Sequence, residues 1–493
     1  MGGSTELVAE LLCPALERDP GNIEILNVLI PAVRTLCDWT MLPELERALA
    51  ARLSTPESLL RRQRPAQFDL MYLESMSATD LRRYAELGTA ALAAPLENKR
   101  LSTWPGAKAA ADGRIRVGYL LADARDHANG FNSMLLYSLH DRSRFEVFVY
   151  STGINDGKEV RKRIEADVEH FVDLNGQRDE AIVRRIADDG IQVLVDLMGH
   201  TRDNSLGALA LRPAPVQINY LGYPGTSGAP FIDYIIGDPV VTPLEHAAHF
   251  SEAIIQLPHC YQANNLSTYG LEPPPPRSEL GLPDESFVFC CFNAANKLTP
   301  GRFASWMRIL DRSPDAVLWL LATKSAVRDN LLEVVSAHGI APERVIFAAH
   351  QPRPEHLRRL QAADLFLDTA PVGAHTTATD ALWAGVPVLT VLGETFAARV
   401  TASVVRAAGL GDMVMPDEAT YEARAIDLVN RPGDVDTLKS RLRDAKATCP
   451  LFDMPSRVCE LEAAYEAAWA RHLEGKPPAA IRLAPPEAQA LGT

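Results

Sequence analysis

A histidine, two threonines and an aspartate stand close together in the run LFLDTAPVGAHTTATDALWAGVPVLT, residues 365–390. The run is typical of a strand, a glycine-containing loop, a helix and a second strand, with Thr376 and Thr377 at the helix start. The N–H groups of a helix N-terminus and two hydroxyl groups form an anion site, and His375 directly precedes them. Asp380 lies one turn later, where a carboxylate can bind ribose hydroxyls. Simple helix capping by Thr376 is the alternative interpretation.

Basic side chains follow other predicted strands of the same half of the chain. Lys297 stands a few residues after the apolar run FVFCCFN (287–293), where an ammonium group can neutralise a diphosphate. Arg353, His356 and Arg359 stand in or beside a predicted helix, and the last two share one helix face because they are three residues apart. An imidazole can stack on a base and a guanidinium can bond the base carbonyl. A solvated helix face is the alternative.

Two further segments of chemical interest follow strands in the first half. The glycine-rich loop LGYPGTSGA (221–229) allows a ligand to approach the backbone closely. The strand IRVGYLL (115–121) leads into a polar loop that contains Asp123 and His127. A loop-borne Asp–His pair can move protons, whereas a buried histidine with satisfied hydrogen bonds is the alternative.

The elements that must position these residues form two strand–helix alternations. Near-continuous apolar runs predict parallel strands buried on both faces, with ligands bound beyond the carboxyl ends of the strands. We predict an α/β protein with the following organisation. In chain order it comprises a helical N-terminal region, at most a degenerate tetratricopeptide repeat (1–108), a first Rossmann-like domain (109–270), a Pro-rich linker (271–285), a second Rossmann-like domain (286–445), a closing helix (446–474) and a disordered tail (475–493).

Composition narrows the function. The chain has 493 residues, too many for one compact core, and a net charge of −14. This charge argues against nucleic acid and anionic membranes as partners, because both require a basic face. The N-terminus lacks the basic region of a secretory signal, and the apolar runs are too short for a membrane span, so we expect a cytoplasmic protein. Neither the histidines nor the seven cysteines show metal-ligand spacing, and we expect no metal and no cofactor.

Several long motifs together resemble the O-linked N-acetylglucosamine (O-GlcNAc) transferases, the OGT/SPINDLY family. They include LGYPGTSGA, NKLTP, HTTATDALWAGVPVLT and GETFAARV, and the resemblance extends in order from about Cys37 to about Leu473. It is strongest to bacterial homologues with a short helical N-terminal region. The resemblance implies a GT-B fold, in which two Rossmann-like domains face a cleft. It implies that the first domain (109–270) lies on the acceptor side and that the second (286–445) binds the UDP-sugar. It also implies metal-independent, inverting transfer of GlcNAc from UDP-GlcNAc to serine or threonine hydroxyls of proteins.

The resemblance also implies residue roles. His127 matches the histidine proposed as the base, Asp123 the nearby acidic residue, and Lys297 the lysine at the diphosphate. The implied donor-binding residues are Gly222, Tyr223, Pro224, Gln351, Arg353, His356, Arg359, His375, Thr376, Thr377 and Asp380.

Two alternatives stay open from the sequence. The loop at 123–129 departs from the family pattern, in which Pro-Thr follows the histidine. A glycosyltransferase of the same fold with another donor or acceptor, such as a flagellin or GDP-fucose type, is the first alternative. A non-catalytic protein that binds sugar nucleotides is the second. The sequence names neither the acceptor protein nor the oligomeric state.

Overall fold

The computed structural model describes residues 5–55, 64–104 and 113–485. The chain divides into two compact units, each made of two separate stretches. The first unit comprises Met1–Met76 and Leu266–Cys449, and the second comprises Ser77–Asn265 and Pro450–Thr493. The predicted helical region 1–108 is therefore shared between the units. The predicted closing helix belongs to the second unit rather than to the preceding Rossmann-like stretch.

The second unit contains an eight-stranded sheet. Its strands are β1 (Ile115–Leu121), β2 (Phe145–Ser151), β3 (His170–Asp173), β4 (Val193–Asp196), β5 (Val216–Asn219), β6 (Tyr234–Gly237), β7 (Ala253–Gln256) and β14 (Ile481–Arg482). Their order is β14-β7-β6-β5-β4-β1-β2-β3, and every neighbouring pair is parallel. The strand order reverses between β1 and β4.

The first unit contains a six-stranded sheet. Its strands are β8 (Phe287–Cys291), β9 (Ala316–Leu321), β10 (Val345–Ala348), β11 (Leu365–Leu367), β12 (Val388–Val391) and β13 (Val414–Met415). Their order is β10-β9-β8-β11-β12-β13, again entirely parallel. Numbered within the unit, this is the order 3-2-1-4-5-6 of a Rossmann fold, and it reverses between β8 and β11.

Helices connect the strands and cover the sheets. The α-helices of the described residues are Thr5–Arg18, Ile23–Leu36, Leu42–Leu53, Gln67–Leu70, Ala78–Ala93, Ala128–Ser133, Leu136–Leu139, Glu159–Asp167, Asp179–Asp188, Leu206–Ala210, Pro300–Asp311, Ser325–Ala337, Arg353–Leu360, Thr376–Trp383, Phe396–Ala407, Glu418–Asn430, Pro432–Ala445 and Met454–Leu473. None of the helices in these ranges combines the length and the apolar character that crossing a membrane requires.

Burial follows the sequence pattern. In β1 the five residues from Val117 to Leu121 are all buried, as expected for a parallel strand covered on both faces. In the helix Asp179–Asp188, Ile182, Val183 and Ile186 form the buried stripe while the remaining side chains are more exposed. Each sheet is thus covered on both faces, and the loops at the strand ends remain available to form a binding site.

The structure also corrects some predictions of elements. The run EVRKRIEADVEHF (159–171) has the amphipathic pattern of a single helix, but the helix ends at Asp167 and the chain enters β3 at His170. The predicted disordered tail (475–493) is wrong at Ile481–Arg482, which pair with β7 as β14. Four-residue or shorter edge strands carry too few residues to show a periodic pattern. Residues 486–493 of that tail lie outside the described ranges.

Candidate active site

In the first unit, Lys297 and the segment that carries His375 lie where the strand order reverses. Lys297 ends a short 3-10 turn, Ala295–Lys297, shortly after β8, and the loop that leads to the helix Thr376–Trp383 follows β11. Because β8 and β11 are adjacent and parallel, both segments leave the same edge of the sheet. This switch point is the usual ligand site of an open parallel sheet.

Lys297 is held directly against the β11 loop. Its Nζ donates a hydrogen bond of 2.7 Å to the carbonyl oxygen of Gly373, two residues before His375. Burial lowers the pKa of Lys297 to about 8, against the opposing influence of the carboxylate of Asp368. An ammonium group with this pKa is charged near neutral pH, and an anion that binds beside it stabilises the charged form.

Asp368 is a buried carboxylate directly after β11 that organises this loop. Its Oδ1 accepts hydrogen bonds from the backbone N–H groups of Thr369 (2.9 Å) and Ala374 (2.7 Å), and its Oδ2 accepts one from the Thr390 hydroxyl (2.6 Å). Burial raises its pKa, and these hydrogen bonds oppose the shift. The carboxylate therefore both folds the loop and faces Lys297.

The space around Gly373 leaves no room for a side chain. A Cβ atom at this position would stand 2.4 Å from Oγ1 of Thr401 and 3.0 Å from Oδ2 of Asp368. A larger residue would therefore displace the carbonyl group that Lys297 contacts.

His375 and the two threonines form the start of the helix as predicted. The helix begins at Thr376, and His375 is its N-cap residue with no side-chain capping bond. The Thr377 hydroxyl bonds to Oδ1 of Asn293, whose Nδ2 donates to Oγ1 of Thr369 at 2.7 Å. These contacts orient Thr377 from β8, beyond simple helix capping.

The His375 ring is neutral. Its Nε2 lies 3.5 Å from the carbonyl oxygen of Ala397, and burial, reinforced by the charge of Lys297, lowers its pKa well below the usual value. A neutral imidazole beside an ammonium group offers a single N–H donor.

Asp380 does not stand alone. Its Oδ1 accepts a 2.6 Å hydrogen bond from Nη2 of Arg353, and both side chains are largely buried. Burial raises the pKa of Asp380 to about 6, with Arg353 opposing the shift. The Arg353 guanidinium also lies 5.6 Å from the ring centroid of Tyr269. The sequence placed Arg353 and Asp380 on one site, and the structure pairs them.

His356 and Arg359 share a face of the helix Arg353–Leu360, as predicted. Nε of Arg359 lies 3.4 Å from Nδ1 of His356, and the His356 ring meets the Phe292 ring edge-on at 5.1 Å between centroids. Burial, with the charges of neighbouring arginines, lowers the pKa of His356 to about 3, so the ring is neutral. A neutral ring on an aromatic support suits stacking on a base. Gln351 lies in the loop before the helix, half-buried.

In the second unit, Asp123 and His127 form the predicted pair at the other switch point. They follow β1, and Nδ1 of His127 lies 3.1 Å from Oδ2 of Asp123. Asp123 is buried, whereas the His127 side chain is 50% exposed, so the ring remains accessible. Burial alone would raise the pKa of Asp123, but the hydrogen bonds from His127 and Arg125 outweigh it and lower the pKa.

Two neighbours of Nδ1 influence the tautomer of His127. Nδ1 lies 3.1 Å from Oδ2 of Asp123, and without a proton it accepts a hydrogen bond of 3.3 Å from the backbone N–H of Asn129. In the tautomer with the proton on Nδ1, the ring makes a charge-assisted contact with the carboxylate and Nε2 is the basic nitrogen. In this tautomer Nε2 can act as a general base.

The glycine-rich loop packs against the same strand ends. A Cβ atom at Gly222 would stand 1.8 Å from the carbonyl oxygen of Leu197, which also accepts a 2.7 Å bond from Nδ2 of Asn129. Tyr223 and Pro224 are buried, and the Tyr223 ring lies edge-on to His200 at 5.2 Å. The loop therefore leaves β5 in one defined path beside the His127 helix.

One group of potential metal ligands occurs within the described ranges. Ligand atoms of Glu146, Glu169 and His170 lie within 4.8 Å of one another. Arg116 pairs with Glu146 at 2.8 Å and Arg114 with Glu169 at 2.9 Å, so the two carboxylates already have cationic partners. The group stands on the β2–β3 side of the sheet and contains none of the predicted site residues.

Sequence reasoning missed four contributors to the first unit's site, namely Asp368, Asn293, Tyr269 and Phe292. Asp368 and Asn293 each follow a buried strand within two residues, which is a signal that sequence inspection can use. Phe292 also directly follows β8, but its contact with His356 joins distant residues, and Tyr269 follows no strand within two residues.

The sequence matches one family model and several named proteins. The family model described as "Glycosyl transferase family 41" matches residues 84–267 and 275–461. An Arabidopsis thaliana protein named "Probable UDP-N-acetylglucosamine--peptide N-acetylglucosaminyltransferase SEC" is 38% identical over 371 residues, which cover 74% of this chain and 38% of the relative. A Caenorhabditis elegans UDP-N-acetylglucosamine--peptide N-acetylglucosaminyltransferase is 27% identical over 480 residues, covering 74% and 41%. The chain spans about two fifths of the length of these relatives.

Solved structures agree on the fold. A mutant of the Thermobaculum terrenum O-GlcNAc transferase has a TM-score of 0.81 at 28% identity, covering 96% of this chain and 89% of that one. An Anabaena protein in complex with UDP and glucose has a TM-score of 0.50 at 12% identity, covering 71% and 100%, and shows the fold alone. The predicted GT-B fold class and the family resemblance are confirmed.

Proposed function

Because the chain belongs to glycosyl transferase family 41, we propose that it transfers N-acetylglucosamine from UDP-GlcNAc to serine or threonine hydroxyl groups of proteins. The observation that carries the proposal is the pair of switch-point sites. The first unit gathers Lys297, His375 and a helix N-terminus, and the second presents a carboxylate-oriented histidine. The names of the relatives supply the donor and the acceptor class.

In the proposed reaction, the acceptor oxygen attacks the anomeric carbon and the bond to UDP breaks, with inversion at that carbon. Nε2 of His127 takes the hydroxyl proton, while Asp123 stabilises the imidazolium that forms. UDP leaves with an additional negative charge. Lys297 and the N–H groups at the start of the helix Thr376–Trp383 stabilise this charge, which develops mainly in the transition state.

We propose that the remaining predicted residues recognise the donor. His356 stacks on the uracil, Arg359 and Gln351 surround it, and Asp380 with Arg353 binds the ribose. Gly222, Tyr223 and Pro224 lie on the sugar and acceptor side. Side chains and backbone dipoles neutralise the charge on UDP, so we propose that transfer proceeds without an added metal. We also propose that the protein works in the cytoplasm.

The test is a donor panel. UDP-GlcNAc, UDP-glucose and GDP-fucose are each incubated with acceptor proteins from a host lysate, with and without EDTA, and the products are identified by mass spectrometry. We expect GlcNAc transfer that EDTA leaves intact. Lys297→Ala should lower transfer and UDP affinity together, whereas His127→Ala should lower transfer by about 10²–10⁴-fold and leave UDP affinity nearly unchanged.

Other outcomes identify the alternatives. Transfer of a different sugar would replace the proposed donor, and UDP binding without any transfer or hydrolysis would indicate a non-catalytic binding protein. Absence of UDP binding in calorimetry would contradict the proposal as a whole.

A further inference from the structure

We propose that the helical segment formed by residues 23–55 and 64–76 holds the turn that carries Lys297 in position, with Tyr72 and Cys37 as positioning residues for donor binding. The inference rests on the proposed function, in which Lys297 binds the diphosphate. All the residues concerned belong to the first unit. Three sets of contacts carry the inference.

The first contact is made by Cys37, directly after the helix Ile23–Leu36. Its Sγ lies 3.6 Å from the carbonyl oxygen of Ala295, the first residue of the Lys297 turn. Burial raises the pKa of Cys37 to about 12, so the thiol keeps its proton and donates it to that carbonyl. The left-handed backbone at Cys37 (φ 54°) and its N–H bond to Arg34 fix the direction of the side chain.

The second contact is made by Tyr72. The Tyr72 hydroxyl interacts with the side chain of Asn296, the middle residue of the turn. Tyr72 is 5% exposed, and the buried guanidinium of Arg34 lies 6.0 Å from its ring centroid. Arg34 is itself paired with Glu46, so the tyrosine ring stands in a supported position.

The third set of contacts flanks the turn. Trp39 packs on Phe303 with 5.3 Å between ring centroids, and Phe303 lies in the helix that begins at Pro300, just after the turn. Nδ2 of Asn330 donates a 2.9 Å hydrogen bond to the carbonyl oxygen of Leu36. This bond joins the end of the helix Ile23–Leu36 to the helix Ser325–Ala337. The helical segment thus touches both the turn and the helix after it.

The consequence concerns Lys297, the third residue of the turn. A lysine side chain is long and flexible, so its ammonium group is localised only when both ends are fixed. The bond to Gly373 fixes the ammonium end, and the contacts at Ala295 and Asn296 fix the backbone end. Displacement of a positioned group by about 1 Å can cost about 10²-fold in rate. The helical segment therefore contributes to donor binding without touching the donor.

The test compares Tyr72→Phe, Asn296→Ala and the double variant in the full chain. UDP affinity is measured by calorimetry, and hydrogen exchange is followed in a peptide spanning 293–299. We expect each single variant to bind UDP about 3–10-fold more weakly, and the double variant to be no weaker than either single one, because both changes remove one shared side-chain contact. Exchange should accelerate in the turn while a peptide spanning 418–430 keeps its rate.

The matched control is Tyr84→Phe, which removes a buried tyrosine hydroxyl in the second unit and should leave UDP affinity unchanged. If Tyr72→Phe matches this control in affinity and in exchange at the turn, or if the losses in the double variant simply add, the inference is overturned. Faster exchange throughout the first unit would indicate a general loss of stability and would also overturn it.

The two proposals fail differently. If the unchanged protein binds no UDP, or if Lys297→Ala binds it equally well, the proposed function fails and the inference falls with it. If Lys297→Ala loses affinity while Tyr72→Phe does not, only the inference fails.

Discussion

At the residue scale, the buried carboxylate of Asp368 influences whether Lys297 is protonated. Asp368 faces Lys297 and opposes the effect of burial on the lysine pKa, which lies at about 8. The other titratable groups that act on Lys297 or respond to its charge are Cys291 and His375, and burial keeps the thiol protonated and the ring neutral. The charged state of Lys297 therefore depends mainly on Asp368 and on pH.

This dependence gives a prediction for Asp368→Asn. Lys297 is charged below its pKa, so UDP affinity in the unchanged protein should fall as pH rises through about 8. Without the carboxylate the pKa of Lys297 drops further, and the same fall should occur at lower pH. At pH 8 we expect roughly tenfold weaker UDP binding, equivalent to about 1.4 kcal/mol. Calorimetry between pH 7 and pH 9 measures both curves.

The control is Thr390→Val, which removes the hydrogen bond to Oδ2 of Asp368 and keeps the charge. Its pH curve should coincide with that of the unchanged protein. Coincident curves for Asp368→Asn and the unchanged protein would show that the carboxylate only shapes the loop.

At the element scale, strand order decides where the chemistry is placed. In the first unit Lys297 follows β8 and His375 follows β11, the two strands between which the order reverses. In the second unit Asp123 and His127 follow β1 at the other reversal, and Gly222 follows β5, next to β4. The turns at these strand ends tolerate little added volume, because backbone groups approach one another closely there. Gly222 is the clearest example, facing the carbonyl oxygen of Leu197.

Gly222→Ala should therefore destabilise the protein. The added Cβ would stand 1.8 Å from a backbone oxygen, and the loop must shift to accept it. We expect a loss of about 3 kcal/mol in the free energy of unfolding, the upper end for overpacking. Urea unfolding followed by circular dichroism measures it.

Gly88→Ala is the matched control in the same unit. Gly88 lies inside the helix Ala78–Ala93, and a Cβ atom there would meet nothing within 4 Å. Alanine is the better helix former, so this variant should gain about 0.5–1 kcal/mol. Equal stability of the two variants would contradict the close approach at Gly222.

At the scale of the whole molecule, the chain is built of two Rossmann-like units, and its helical N-terminal part is divided between them. The net charge of −14 is compatible with a phosphate site, because Lys297, Arg353 and Arg359 are gathered in one unit. Local placement of a few cations, rather than net charge, determines the affinity for a small anion.

UDP binding should therefore slow hydrogen exchange in particular segments of the chain. In hydrogen exchange we expect protection in 293–299, 351–360 and 373–383, the segments that carry the proposed donor-binding residues of the first unit. At a UDP concentration 100 times Kd, the folded state should gain about 2.7 kcal/mol, observed as a higher melting temperature. Lys297→Ala should show neither effect at the same concentration. Protection confined to the second unit would contradict the assignment.

The sequence by itself determined the α/β class, the two strand–helix alternations, most strands and the side chains that follow them. Apolar β-branched runs and glycine-rich loops are local signals, so the run 115–121 predicts β1 to the residue. The family motifs are also local, and they predict that Lys297 and His375 belong to one site.

Only the tertiary structure decided which distant residues meet. The pairing of Arg353 with Asp380, the contact of Lys297 with Gly373 and the interaction of Tyr72 with Asn296 join residues far apart in sequence. The pairing of β14 with β7 and the splitting of the helical region are likewise long-range. Such contacts depend on how elements pack against one another, and periodicity along the chain carries no record of that packing.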